Sequence, residues 1–490
     1  MMAEKRQGRT GLKPKAEIDS GTRHKADPSQ EPLKTLTNFF TVEPIMVFQM
    51  STAILAFMAV QDFLFEKACK VNFGYSDEVC SALKSGDSSQ YAEEEANIQK
   101  LTGSVMMWRG MLENLFPMIL ACLIGPWSDK YGRKIPMLAV MVSFIVQHVL
   151  LIVCALDPTS TIGANSVGFI SSFIVSLTGN NACFIMSCFS YNSDTTPKDK
   201  LTQKTGITGC TIFLAITVGM GLSGALSSLG FVKIFTIAAI IETIGFLWLL
   251  YGLPNVVRDE KVLKRTTVKT MLSELFDKQN VIDAIGSGVK ARPGNDRLKI
   301  LALLASHCLI SAPMMGEGAV MYLFGKYKFG WDAPAFATFM TFKMVTGFIG
   351  NFASMIIFGN KMKMSDPAIG IVSCAAHILS CLTFAFASSN ALMYTAPIVA
   401  MMAGQLMSCG RSIIFKTVSS TETGKINALM SSLDSLTPLL ATPVYSFVYS
   451  ATFENMPGAF FLLSAAFVVP PAIVFWILSH EETNDKTKDE

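Results

Sequence analysis

The amino-acid sequence predicts an all-α polytopic membrane protein, with twelve transmembrane helices arranged as two six-helix bundles. Three observations predict this. Of the 490 residues, 51% are hydrophobic and only 16% charged, where a soluble chain carries about 25% charge. The apolar residues fall into runs of about 20, the length a helix needs to cross about 30 Å of hydrocarbon. These runs lack the alternation of strands, so helices are the structures that can satisfy their backbone in lipid.

The elements follow in order. Residues 1–42 are polar, basic and rich in breakers, with no apolar stretch of the kind a cleaved signal peptide needs. They read as a disordered cytoplasmic tail. An N-terminal bundle over 43–253 holds spans at 43–65, 103–124, 135–155, 166–190, 206–228 and 231–252. A polar cytoplasmic loop occupies 254–297. The C-terminal bundle, 298–479, holds spans at 298–325, 334–360, 367–387, 391–415, 427–450 and 457–479. The last segment, 480–490, "HEETNDKTKDE", reads as a second disordered tail.

Lysine and arginine set the orientation. Lys130, Arg133 and Lys134 cluster on one side with Lys198, Lys200, Lys204, Lys361 and Lys363, and so does the central segment with Arg258, Lys261, Lys264 and Arg265. The loops at 156–165 and 388–390 on the other side carry no Lys or Arg. The basic side is therefore read as cytoplasmic, with both termini on it. A weak internal echo links "NSDTTPKDKLTQKTGITG" after span four to "VSSTETGKINALMSSL" after span ten. Such repetition of two halves around a midplane site is a transporter architecture.

Of eleven cysteines, nine lie in or beside the apolar spans, where a thiol packs as a small hydrophobe. Cys69 and Cys80 share the first outer loop, and a disulfide between them is expected on an oxidising face. Neither the Cys/His spacing of a zinc module nor a nucleophile–base constellation is legible, so no metal, cofactor or enzymatic reaction is predicted. The net charge of +3 gives no reason to expect nucleic acid as a partner.

Ionisable residues inside the spans carry the functional hypotheses, because each costs about 2.5–3.5 kcal/mol to insert. Arg109 and Glu113 in "WRGMLE" are one turn apart and form either a local pair or a cavity lining. Glu317, in "SAPMMGEGAV", stands beside a Pro and two Gly that predict a local helix break, and suits a proton carrier. Lys343, Arg411 and Asp434 complete the strong set, with a Lys343–Asp434 or an Arg411–Asp434 pair as the plain alternative. Arg411 lies near its helix end, where snorkelling is the other reading. Asp62 and Glu242 are weaker candidates, while His148 and His377 read as neutral, hydrogen-bonded packing residues. Three cations beside a cavity would attract an organic anion, and Trp108 and Tyr322 could stack on its ring.

Between spans two and three stands "GPWSDKYGRK", in which Gly125, Asp129, Gly132, Arg133 and Lys134 read as a tight turn in cytosolic water. In that place it resembles the loop signature of the major facilitator superfamily. The resemblance implies the two-bundle fold and a loop that latches the outward-facing state. Further likeness is to the proton-coupled folate transporter family, solute carrier family forty-six. It rests on "VEP" (Val42 to Pro44), "GPWSDKYGRK", "GKYKFGW", "GRSIIFKTVSSTETGK" and "PVYSFVYSATFENMPGAFFLL". It implies that Arg411 is the family's span-ten arginine, tied to proton coupling and substrate binding, and that Glu317 falls at or beside its span-seven acid. Asn180 stands where the folate transporter has an Asp, Gly209 where it has a coupling Glu, and Ala312 or Pro313 where it has a His. "FGW" lacks the Cys that family pairs with the first loop, which favours Cys69–Cys80.

These readings converge on a monomeric secondary transporter in the lipid bilayer, working by alternating access. Its solute is a small organic anion (folate-like, cyclic dinucleotide or muropeptide) and its coupling ion a proton. The alternatives are a uniporter or exchanger of the same fold, favoured by Gly209, and a receptor or scaffold that binds without transport. With no acidic-dileucine signal legible in the tails, the plasma membrane is favoured over the lysosome.

Overall fold

The computed structural model describes residues 41–85, 91–157, 162–226, 229–254, 267–292, 295–331, 333–362, 364–419 and 422–489. The tail predicted over 1–42 lies outside these residues up to position 40, as do Arg258, Lys261, Lys264, Arg265 and Lys363.

Among the described residues the helices make up twelve spans. Helix α1 (Glu43–Lys67) begins with Pro44 in its first turn, where a missing N–H costs nothing, and continues as a π-helix at Ala68–Asn72. A disulfide joins Cys69 to Cys80 in the short outer helix α2 (Asp77–Ser85), their Cα atoms 6.0 Å apart. Helix α3 (Ala92–Tyr131) has 40 residues and opens with Glu93, Glu94 and Glu95, which suit the positive N-terminal end of its dipole. Then come α4 (Lys134–Leu156), the two pieces of span four, α5 (Ala164–Ser176) and α6 (Asn180–Thr195), and α7 (Leu201–Leu226) and α8 (Phe231–Gly252).

The central segment is not all loop. It carries α9 (Val268–Leu275) and α10 (Lys278–Val289), with Asp277 capping α10 by accepting from the Gln279 N–H at 2.9 Å. The second half holds α11 (Asp296–Phe329), α12 (Ala333–Ser354) with a π-helix at Met355–Lys361, and α13 (Asp366–Ala385). Span ten is again in pieces, α14 (Asn390–Val399), a 3-10 stretch at Ala400–Ala403 and α15 (Leu406–Thr417). Helices α16 (Thr423–Thr452) and α17 (Ala459–Asp489) complete it.

Two expectations are corrected. Span seven has no break: α11 runs unbroken through Pro313, and Gly316 serves instead to admit the Tyr445 ring against the helix. The breaks fall in spans four and ten. The segment 480–490 is helical to Asp489 rather than disordered, and Glu481 pairs with Lys299 at 2.9 Å. Eleven crossings are also long and apolar enough to be found by composition; α16 is the twelfth, more polar because Asn427, Ser431, Ser435 and Thr437 are buried along it.

The apolar core is layered. Each half has one cluster towards the basic end, around Phe144 and Phe184 or Leu303 and Phe415. Each has another towards the opposite end, around Phe63 and Phe235 or Phe324 and Phe461. On α3 the clusters include Val105 and Ala121, and on α13 Cys374 and Phe384. Arg109 lies between Val105 and Ala121 along α3, whereas Arg411 stands against one cluster, beside Cys409, Ile414 and Phe189.

Candidate functional site

The gap in the first half holds Arg109 and Glu113. Arg109 Nη2 donates to Glu113 Oε1 at 3.1 Å, and Ser172 Oγ donates to the same oxygen at 2.7 Å. Of the two readings for these residues, the structure gives the local pair. It is incomplete, however, since Nε and Nη1 of the buried Arg109 have no hydrogen-bond partner. Trp108 beside it is exposed, and Tyr322 of the second half packs edge-on against Phe336.

In the second half, Asp434 on α16 is central. It meets His307 Nε2 on α11 at 2.6 Å and Arg411 Nη2 on α15 at 3.4 Å. Arg411 is buried, so it does not snorkel; the low-dielectric interior requires a charge there to be paired. Its other face lies over the Phe189 ring of α6, 4.0 Å from the centroid. That cation–π contact reaches across from one half to the other. Lys343 turns away from Asp434 to Glu317, with Nζ 3.5 Å from Oε2. Glu317 Oε1 has no hydrogen-bond partner.

His377 is not the hydrogen-bonded packing residue expected. Its Nε2 has no partner, and it stands with Glu317 and Cys381. Nor is His148, which is fully buried with neither ring nitrogen hydrogen-bonded. Glu242 is also fully buried and accepts from Thr52 Oγ1 at 2.5 Å, whereas Asp62 is exposed.

The two broken spans occupy the fourth place in each half. In span four the chain turns at Gly179 (φ +85°) and Asn180 (φ +50°), the latter the sole non-glycine residue with positive φ among the described residues. Asn tolerates that conformation, and Asn180 Oδ1 accepts from the next residue's N–H at 2.7 Å. In span ten Gln405 Nε2 donates to the Asn351 carbonyl at 2.9 Å. Gly209 faces this second break, near Ser408 and Asn351. Interrupted helices in matching places of two halves mark a binding region, because unwound backbone at that depth must line protein or a cavity.

The basic end fastens the halves together. The motif from Gly125 is not chiefly a turn: α3 continues through Tyr131, and only Gly132 (φ +107°) breaks it. Gly125 packs against Gly424 and Ala428 at the start of α16. Arg133 is out of water and Lys134 is half-buried. Arg133 is 1% exposed, paired with Asp129 and with Asp194 at 2.9 Å, and donates to Ser128 Oγ at 2.8 Å. Burial demands this full set of partners for the guanidinium. Lys134 donates to the carbonyls of Leu250 and Leu253 at 2.7 and 2.6 Å, closing the end of α8.

More bonds cross nearby. Ser190 accepts from Asn427 at 2.8 Å, and Thr202 bonds Ser412 at 2.8 Å. The central helices clamp both sides. Trp127 donates to the Met271 carbonyl, and Lys130 Nζ lies 2.5 Å from Glu274 and holds that carboxyl below its usual range. Lys425 likewise holds Asp283 low, and Lys290 and Arg292 pair with Glu422.

His307, Phe189, His377 and Cys381 were absent from the site read in the sequence. A His-x-x-x-Cys pair, one turn apart on α13, was the available signal for the last two; nothing local marks Phe189, whose partner lies in the other half.

Comparisons with known proteins agree with the geometry. A family model described as Major Facilitator Superfamily matches residues 45–442. The "Probable peptidoglycan muropeptide transporter SLC46" of Drosophila melanogaster is 22% identical over 460 residues, 91% of this chain and 87% of that protein. The "Lysosomal proton-coupled steroid conjugate and bile acid symporter SLC46A3" of Gallus gallus is 24% identical over 459 residues, 89% and 93% of the two chains. Among solved structures, the human organic anion transporter MFSD10 (TETRAN) superposes with a TM-score of 0.66 at 15% identity, covering 89% of this chain and 98% of that one. The E. coli fucose:proton symporter FucP superposes with a TM-score of 0.58 at 13% identity, covering 86% and 98%.

Proposed function

The chain belongs to the Major Facilitator Superfamily, and from that premise we propose that it carries a small organic anion across the membrane together with a proton. The observation that carries this reading is Arg411, buried between Asp434 of its own half and the Phe189 ring of the other. A guanidinium held there by a single 3.4 Å contact can exchange that carboxylate for one of a solute, which it could bind in bidentate fashion. Only an anion that replaces the Asp434 contact would reach it without leaving a buried charge unpaired.

Glu317 is the proposed proton acceptor. Its Oε1 is unpartnered and its Oε2 faces Lys343. Protonation would release Lys343 to the incoming solute, so that proton and anion enter as a neutral pair. Arg109, with two unused donors, offers a third cationic contact. The muropeptide named for one relative is among the folate-like, cyclic dinucleotide and muropeptide classes read from the sequence, and the steroid conjugates and bile acids named for another extend them. The fastened basic end then corresponds to the state that receives solute from the opposite side, and release requires those contacts to part.

A uniporter or exchanger is the second reading. Gly209 favours it, since no acid stands at the point where span five meets Ser408 and Asn351. The plasma membrane read from the sequence stands here as a proposal beside the lysosomal location named for the Gallus gallus relative; co-staining with a lysosomal marker separates the two. Uptake into proteoliposomes with and without an inward pH gradient tests the coupling. Gradient-stimulated uptake is expected, equal rates would leave the uniporter, and binding with no flux would leave a receptor.

A further inference from the structure

We propose that Glu317, His377 and Cys381 form a binding site for a divalent transition-metal ion, with Zn²⁺ the ion their chemistry fits. One ligand atom from each lies within 4.8 Å of the others. His377 and Cys381 project from the same face of α13, one turn apart, and Glu317 meets them from α11.

The set is short of partners. Glu317 is 6% exposed with Oε1 unbonded, His377 Nε2 has no partner, and Cys381 is a free, buried thiol. Buried polar atoms without hydrogen bonds are costly, and a metal ion bound by this carboxylate, imidazole and thiol would relieve that cost. Thiolate, imidazole and carboxylate together are a zinc ligand set; Mg²⁺ and Ca²⁺ demand oxygen alone. On binding, the thiol loses its proton to solvent as the sulfur–metal bond forms, so occupancy releases H⁺.

Three protein ligands leave a fourth position open, as in exchangeable rather than closed structural sites. Lys343, 3.5 Å from Glu317 Oε2, repels a dication and keeps the affinity below that of a structural zinc. The consequence for transport rests on the proton-carrier reading: metal on Glu317 would displace the proton and inhibit coupled uptake.

The test uses the full-length chain purified in detergent, with Co²⁺ as a spectroscopic substitute for Zn²⁺. A saturable thiolate-to-cobalt charge-transfer band is expected, displaced by Zn²⁺ and not by Mg²⁺. Cys381→Ser should abolish the band. His377→Gln and Glu317→Gln should weaken Co²⁺ binding by more than about tenfold, since even outer-shell partners of a metal are worth that much. No band in the unmodified chain, or a band that persists in Cys381→Ser, overturns the site. Because no flux is measured, that failure leaves the proton-carrier reading standing, while proteoliposome uptake tests the latter separately.

Discussion

Gly125→Ala tests the fastening at the basic end with the smallest change available. A Cβ added at Gly125 would fall 2.7 Å from the Gly424 carbonyl oxygen and 3.3 Å from Ala428 Cα, and would collide with Ala428 Cβ. Two of these atoms are backbone, so no side-chain rotation relieves the clash; α3 and α16 must separate. Overpacking of this kind costs about 1–3 kcal/mol. The two helices belong to different halves, so the cost falls on the fastened state and not on one with the halves parted there. The equilibrium should therefore shift towards the parted state by about 5-fold to 150-fold.

Ser190 provides the reporter, being fully buried and bonded by Asn427 from the other half. In Ser190→Cys protein, labelling from the basic side by a water-soluble thiol reagent, read at that position by peptide mass spectrometry, should accelerate by the same factor when Gly125→Ala is added. An unchanged rate in correctly folded protein would refute the latch.

Other outcomes follow from the same geometry. Arg411→Ala should cut solute flux at least tenfold with surface expression intact, because it removes the cation between Asp434 and Phe189; normal flux at normal expression would remove it from the solute pathway. Asp129→Ala deprives the buried Arg133 of a partner and should slow turnover more than it weakens solute binding, which comparing saturation binding with maximal uptake checks. Glu317→Gln should make uptake indifferent to an inward pH gradient, and retained stimulation would move the proton elsewhere. Asp283 is held low by Lys425, so the support from that pair is complete above the unfolded aspartate pKa of about 3.9 and fades only as pH falls through the lowered folded value. Asp283→Asn should accordingly leave the pH profile of uptake unchanged between about pH 5 and 7.

Much of the architecture was legible because the bilayer imposes it. Run length, the polar break and the distribution of lysine and arginine depend on solvation alone, which composition records. Helix α16 shows the method surviving an unfavourable case, since its buried serines and threonines lower its hydropathy while its length still marks a crossing. The site was read less well. Of the two pairs the sequence left open for Asp434, the structure has Arg411–Asp434, while Lys343 lies beside Glu317, a choice that depends on helix rotation and not on spacing along the chain. The expected break at Pro313 failed for a related reason. A proline removes one hydrogen bond, which a packed helix tolerates, whereas Gly179 and Asn180 adopt positive φ and end the helix. The charges of "GPWSDKYGRK" suggested water, and only the distant Asp194 and Leu253 reveal that two of them are buried or capping.

The central claim is that anion and proton cross together. Uptake of labelled bile acids, folates, cyclic dinucleotides and muropeptides into proteoliposomes, with the external medium acidic or equal in pH to the interior, tests it most directly. At least one of these anions should accumulate severalfold faster under the inward proton gradient, and that stimulation should vanish in Glu317→Gln. Uptake of a transported anion at the same rate under both conditions would contradict the account.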